Sequence, residues 1–210
     1  MRFRPTIVVL AAGLGRRFEG TPSKLAQPFV AAGGLTVLGT TLRHAIETQL
    51  PVVVVTTEAL VPLAARQLAR RDIVELSAAD AARGMGHSIA TGVGERSGAP
   101  GWLVLPGDMP LIRPSTMLAV ASALEQHAIV YAQHQGRRGH PVGFAAELYS
   151  ELILLRGDEG ARRLLARYPA HGQEVPDPGV LIDVDTEADL EAARRLADAS
   201  AVTDPLAARS

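Results

Sequence analysis

Residues 6–24 read TIVVLAAGLGRRFEGTPSK. The opening run of β-branched and aliphatic side chains, closed by glycine, is the pattern of a strand buried on both faces. Past it come Gly13 and Gly15, then Arg17 and Lys24. In open α/β sheets ligands sit beyond the carboxyl ends of the strands, often beside a glycine-rich turn. Glycines there let backbone N–H groups approach phosphate oxygens that a Cβ would hold off, and Arg17 and Lys24 supply countercharge. An ordinary strand-to-helix turn with solvated arginines carries the same residues. Two common phosphate loops are excluded: no lysine follows a glycine at the Walker A spacing, and Phe18 stands where the dinucleotide fingerprint needs its last glycine.

Working outward, PVVVVTT (51–57) and GWLVLPGD (101–108) repeat the buried-strand pattern, and shorter strands are expected at 73–76, 127–133, 142–144 and 180–185. Helical spacing or helix-start chemistry marks 37–50, 60–70, 87–96, 114–126 with Pro114 as its first residue, 146–155 and 159–167. Thr186 is placed to cap a closing helix that ends near Ala197. Strands alternating with helices predict an α/β fold around a mostly parallel sheet. The chain of 210 residues suits one domain over 1–197, and residues 198–210, which lack periodicity, are expected to form a tail.

Charge narrows the partners. Formal net charge is -1 and the 21 basic residues are scattered, so neither nucleic acid nor an anionic membrane is an expected partner. With no cysteine, thiolate catalysis, disulfides and zinc-thiolate sites are ruled out, and the cytoplasm is the expected compartment. The apolar run 7–12 is shorter than the roughly 7–15 residues of a signal-peptide core.

Two acidic sites follow later strands. Asp108 ends LPGD and can hold Mg²⁺, which takes one or two carboxylates plus phosphate oxygens and water, or can cap a turn. IDVDTE carries Asp183 and Asp185, which on a strand would share a face.

LAAGLGRRF followed by Lys24 resembles the signature of the MobA-like nucleotidyltransferases, which join a nucleoside monophosphate to a phosphorylated small molecule and release pyrophosphate. The resemblance implies a three-layer, Rossmann-like fold. It places the nucleotide on Leu10, Ala11, Ala12, Gly13, Gly15, Arg17 and Lys24, with Ser88 and Asp108, and makes Arg17, Lys24 and Asp108 catalytic. It gives the metal, Mg²⁺, to Asp108 and Asp185, with Asp183 in reserve. Glu19 stands where the family usually has a glycine, and in GMGHSIATG, which matches a family segment near the nucleotide, Gly86 and His87 replace two serines.

GRRGHPVGF (136–144) and RGDEGARRLL (156–165) resemble segments of the molybdenum cofactor cytidylyltransferase branch, which joins CMP to molybdopterin. That implies CTP as the favoured nucleoside triphosphate, as does Ala11-Ala12-Gly13. It also implies an acceptor site of Arg137, Arg138, Gly139, His140, Asp158, Glu159 and Gly160, with a molybdoenzyme or its maturation chaperone as a further partner. A turn at 157–160 opening a helix would add anion-binding N–H groups.

Other phosphorylated acceptors, a sugar 1-phosphate or phospholactate, or GTP as donor, fit the same loop. A molybdopterin carrier without transferase activity is a reading from another class, disfavoured by the paired basic and acidic residues. Gly86-His87-Ser88-Ile89-Ala90 approximates a hydrolase nucleophile elbow, but that motif needs a strand before the serine, and AADAARGM has no β-branched residue.

Overall fold

The structure, a computed structural model, describes residues 3–13, 23–30 and 34–203. Nine strands are present among them: β1 (Thr6–Ala11), β2 (Pro28–Val30), β3 (Leu35–Thr36), β4 (Val52–Thr57), β5 (Ile73–Leu76), β6 (Gly101–Pro106), β7 (Ile129–His134), β8 (Arg137–Ala145) and β9 (Ala170–Glu174). The α-helices are α1 (Val37–Glu47), α2 (Val61–Ala64), α3 (Ala78–Ala81), α4 (Met85–Gly94), α5 (Pro114–Ala123), α6 (Tyr149–Leu152), α7 (Arg162–Arg167) and α8 (Glu187–Thr203).

Seven strands form the central sheet in the order β5-β4-β1-β6-β8-β7-β9, and β2 and β3 make a separate antiparallel ribbon. Only β8 runs against its neighbours; β1, β4, β5 and β6 pair in parallel, as do β7 and β9. Alternate side chains of each strand feed two cores. Ile7, Val9, Val54 and Leu105 pack with Leu38 and Leu42 of α1, Met117 and Val120 of α5, and Leu190 of α8. Val8, Val55, Trp102 and Val104 pack with Ile89 and Val93 of α4, Leu152 of α6 and Leu164 of α7. The result is the expected three-layer α/β sandwich with a mostly parallel mixed sheet.

Several elements differ from the sequence reading. Residues 180–185 form no strand: a 3-10 turn at Pro178–Leu181 drops Val180 and Val184 into the core, and Val184 N–H donates to the Asp108 carbonyl at 2.9 Å. The segment therefore crosses the carboxyl end of β6 instead of joining the sheet. β8 begins at Arg137, where a loop was expected, because Gln135 and Gly136 both take positive φ and close a two-residue hairpin with β7. The polar edge strand β9 had no sequence signal. The 60–70 region is a 3-10 turn and the short α2, a short α3 precedes α4, and the two helices expected over 146–167 reduce to α6 and α7. Thr186 and Asp189 form a reciprocal cap: Asp189 N–H donates to Thr186 Oγ1 at 3.2 Å, and the Asp189 carboxylate accepts from Thr186 N–H at 2.8 Å. The capped helix continues past Ala197 to Thr203.

Asp177 ties the region behind the site together. Its carboxylate, 2% exposed, accepts from Arg113 N–H at 3.0 Å, Thr116 Oγ1 at 2.6 Å and Gly179 N–H at 3.0 Å, capping α5 from a distant part of the chain. Asp177→Ala leaves these donors without an acceptor in a buried setting, so a loss of about 3 kcal/mol is expected in urea unfolding. A loss below about 1 kcal/mol would show that water replaces the carboxylate.

Candidate functional site

The carboxyl ends of β1 and β6 and the start of the antiparallel β8 lie at the same edge of the sheet, the place where parallel sheets bind ligands. A cavity of about 650 Å³ opens there, within the size range of small-molecule sites. Leu10, Ala12 and Gly13 after β1 line it, as do Pro106, Asp108 and Met109 after β6. Gly107 makes the turn into Asp108 without using the Asp108 carboxylate. Its N–H donates to the Leu10 carbonyl at 2.8 Å, its carbonyl accepts from Thr41 Oγ1 at 3.0 Å, and a Cβ on it would lie 2.9 Å from that Leu10 oxygen.

Lys24 lies in a 3-10 turn, Lys24–Ala26, whose Leu25 is buried in the core while Lys24 faces the cavity. Its ammonium donates to Asp108 Oδ2 at 2.6 Å and to Asp185 Oδ1 at 2.7 Å. Burial pulls the Lys24 pKa down, but the charge of and hydrogen bond to Asp108, and then those of Asp185, hold it above the ordinary lysine value. Asp183 also lines the cavity, and burial, with the charges of Asp185 and Asp108, raises its carboxyl above the ordinary range. Asp185 thus pairs with Lys24, and Asp183 lies outside that pair.

Arg137, Arg138, Gly139 and His140 line the same cavity, brought beside the end of β6 by the neighbouring strand β8. The Arg138 guanidinium stacks over the Tyr131 ring, 4.2 Å from its centroid. Burial lowers the His140 pKa against the opposing charge of Asp108, leaving a neutral imidazole that can donate one N–H without adding charge.

The third wall is the first turn of α4. Gly84, at φ +91°, and Gly86 allow a backbone-to-backbone seam with residues 156–160: Gly86 N–H donates to the Gly157 carbonyl at 2.8 Å, and Gly157 N–H to the Arg83 carbonyl at 3.1 Å. A Cβ on Gly86 would lie 2.8 Å from the Arg156 backbone, which accounts for glycine where the family pattern has serine. Ser88 and Asp158 both line the cavity.

Other expected site residues point elsewhere. Ala11 is buried in the core with its side chain on the far face of β1. Glu159 pairs on the surface with Arg163 at 2.8 Å, and Gly160 packs under Met85. α7 starts only at Arg162, so residues 157–160 do not open a helix toward the cavity. Gly15 and Arg17 lie outside the described residues. The hydrolase elbow is absent, since Ser88 sits within α4 and a short helix, not a strand, precedes it. His87 turns to Asp80, 3.6 Å away. Its Nδ1 is buried without a hydrogen-bond partner among the described residues, and burial followed by the Arg83 charge lowers its pKa. His44 and His134 bond backbone carbonyls, and His127 stacks on His171 away from the cavity.

Sequence reasoning missed Ala81, Ala82, Gly84 and Met85 as lining residues. The available signal was the GMG triplet itself, a glycine pair at a helix start where close approach is required.

The chain matches the MobA-like NTP transferase domain over residues 7–174. It belongs to that family. The matched span includes Lys24, Asp108, β8 and the 156–160 segment, and stops short of Asp185. The chain is similar to the purine catabolism protein PucB of Bacillus subtilis (strain 168), 34% identical over 125 residues. That match covers 55% of this chain and 58% of PucB, so it spans little more than half the length of either protein. Rv0371c of Mycobacterium tuberculosis H37Rv superposes with a TM-score of 0.78 at 26% identity, over 93% of this chain and 99% of Rv0371c. Its complex with manganese superposes at 0.74 and 27% identity, over 91% and 98% of the two chains. A nucleotidyl transferase from Methanothermobacter thermautotrophicus shares the fold, with a TM-score of 0.75 at 21% identity over 94% of this chain and 99% of that one.

Among the described residues no group of three or more His, Cys, Asp or Glu is gathered for a metal, and no helix is long and apolar enough to cross a membrane. Two convergent carboxylates nevertheless fit a hard divalent ion that draws its remaining oxygens from phosphate and water. Asp108 and Asp185, which share the Lys24 ammonium, are such a convergent pair.

Proposed function

We propose that this nucleotidyltransferase-family protein transfers CMP from CTP to molybdopterin, with release of pyrophosphate, and that Mg²⁺ is held by Asp108 and Asp185. The observation that carries the reading is that the Lys24, Asp108 and Asp185 cluster shares one cavity with the Arg137–His140 segment, which resembles the molybdenum cofactor cytidylyltransferase branch. A terminal phosphate oxygen of the acceptor attacks the α-phosphorus in line. The new P–O bond forms as the bond to the β-phosphate bridge breaks, and pyrophosphate leaves with that electron pair.

No residue of the protein becomes covalently attached, so catalysis comes from placement and charge. Mg²⁺ supplies Lewis-acid charge neutralisation of the reacting phosphates. Lys24 meets charge growing on the α-phosphoryl group, and Arg17, by the family resemblance, takes the departing polyphosphate. Leu10, Ala12, Gly13 and Ser88 form the nucleotide wall. Arg137, Arg138 and the neutral His140 receive the anionic acceptor. The test is pyrophosphate release with CTP, GTP, ATP and UTP in turn, each against molybdopterin and against sugar 1-phosphates. Release restricted to CTP with molybdopterin is expected; equal release with a sugar phosphate, or with GTP alone, would overturn the assignment.

A further inference from the structure

Lys24 pairs with both carboxylates that the proposed function gives to the metal. Asp108 Oδ2 and Asp185 Oδ1 lie 2.6 and 2.7 Å from its ammonium, and the three side chains are only 12%, 20% and 18% exposed. These residues come from three separate parts of the fold, so the contact is set by tertiary structure and not by a flexible surface pairing. Buried Leu25 fixes the lysine turn, and the bond from Val184 N–H to the Asp108 carbonyl fixes Asp185 relative to Asp108.

We infer that Lys24 competes with the free divalent ion for this site, so that the metal enters together with the nucleotide and not before it. The inference rests on the proposed function. Mg²⁺ binds carboxylate oxygen at about 2.0–2.1 Å with near-octahedral demands, so it cannot take an oxygen that keeps an ammonium at hydrogen-bond distance on the same side. An ion arriving alone that takes the oxygens facing Lys24 pushes the lysine off at least one carboxylate and leaves a largely buried ammonium short of partners, which is costly. Among the described residues it also meets two carboxylates that already share one ammonium. A metal–triphosphate brings oxygens of its own, and Lys24 exchanges a carboxylate for a phosphate with no loss of pairing. Metal and nucleotide then raise each other's affinity by one shared factor, as linkage requires.

Binding of Mn²⁺, followed by loss of the free-ion signal in electron paramagnetic resonance, tests this with wild type and Lys24→Met, each with and without CTP. Wild type is expected to bind Mn²⁺ alone weakly and at least about tenfold more tightly when CTP is present. Lys24→Met is expected to bind Mn²⁺ alone at least about tenfold more tightly than wild type, and to lose that gain when Asp108→Asn is added. Lys24→Gln, which keeps a hydrogen-bond donor without the charge, is expected to shift in the same direction and serves if the methionine variant does not fold. Folded Lys24 variants with wild-type affinity for Mn²⁺ alone would overturn the inference. So would a wild type that binds Mn²⁺ equally well with and without bound CTP. Calorimetric titration with CTP is read separately: if no nucleotide binds, the proposed function fails, while the comparison of variants without nucleotide still decides whether Lys24 competes with the ion.

Discussion

Asp108→Asn is expected to lower kcat/KM for nucleotidyl transfer by about 10³-fold or more while leaving the melting temperature within a few degrees of wild type. A rate loss of that size corresponds to about 4 kcal/mol of transition-state stabilisation. The two effects separate because the Asp108 turn is held by bonds to its main chain. Gly107 N–H bonds the Leu10 carbonyl, Thr41 Oγ1 bonds the Gly107 carbonyl, and Val184 N–H bonds the Asp108 carbonyl; none of these uses the carboxylate. Asparagine has the same shape, and its carbonyl oxygen can still accept from Lys24, so the packing around the turn survives. What it lacks is the negative charge that would hold a divalent ion and orient the lysine. Lys24→Ala is expected to fail as completely, since it removes the charge proposed to act on the α-phosphoryl group. Pyrophosphate release and a thermal melt of the same samples check both variants. Transfer within tenfold of wild type in Asp108→Asn would remove Asp108 from the reacting centre, and an unfolded variant would show that the ion pairs with Lys24 hold the fold.

The parts of this site that were legible in the sequence are those where burial and chemistry coincide. β1 and β6 are buried on both faces, so their apolar runs announce themselves, and Gly13 and Asp108 follow directly from where those runs end. Lys24 reads as phosphate countercharge and Asp185 as one of two late carboxylates, the family resemblance gave them their roles, and the structure joins Asp108 and Asp185 through the Lys24 ammonium. What stayed hidden was set by contacts between distant segments. Val180 and Val184 read as a strand because both are apolar and buried, yet they anchor a turn that passes over the end of the sheet. β9 is polar and carries a glycine, so nothing in AHGQE signals that its main chain pairs with β7. Gly86 looked like a departure from the family pattern until the backbone of Arg156 appeared where its Cβ would go. Ala11 follows the opposite course: it lies inside the signature, but the alternation of β1 sends its side chain into the core.

Gly139→Ala is expected to lower the melting temperature by about 5–10 °C and to reduce transfer by about 10²-fold, although glycine to alanine adds only one methyl group. The added Cβ would lie 2.2 Å from the Val180 carbonyl oxygen and 2.8 Å from its carbon. Both groups belong to backbone, so no change of rotamer relieves the clash. β8 cannot easily withdraw, because β6 and β7 bond it on its two sides. The turn carrying Val180 is pinned as well: Asp177 holds Gly179 N–H, and Gly179 sits so close to the Leu111 carbonyl that its own Cβ would lie 2.4 Å from that oxygen. Whichever side yields, the movement reaches the reacting centre. A shift of β8 displaces Arg138 and His140, and a shift of the turn carries Asp185 away from Lys24. Misplacement of about 1 Å at such a centre is enough for the expected rate loss. Steady-state kinetics and a melt distinguish the routes: a raised acceptor KM with kcat preserved marks movement of β8, and a fall in kcat with weakened Mn²⁺–CTP binding marks movement of Asp185. Wild-type values in both measurements would mean that Gly139 and Val180 separate without disturbing either wall.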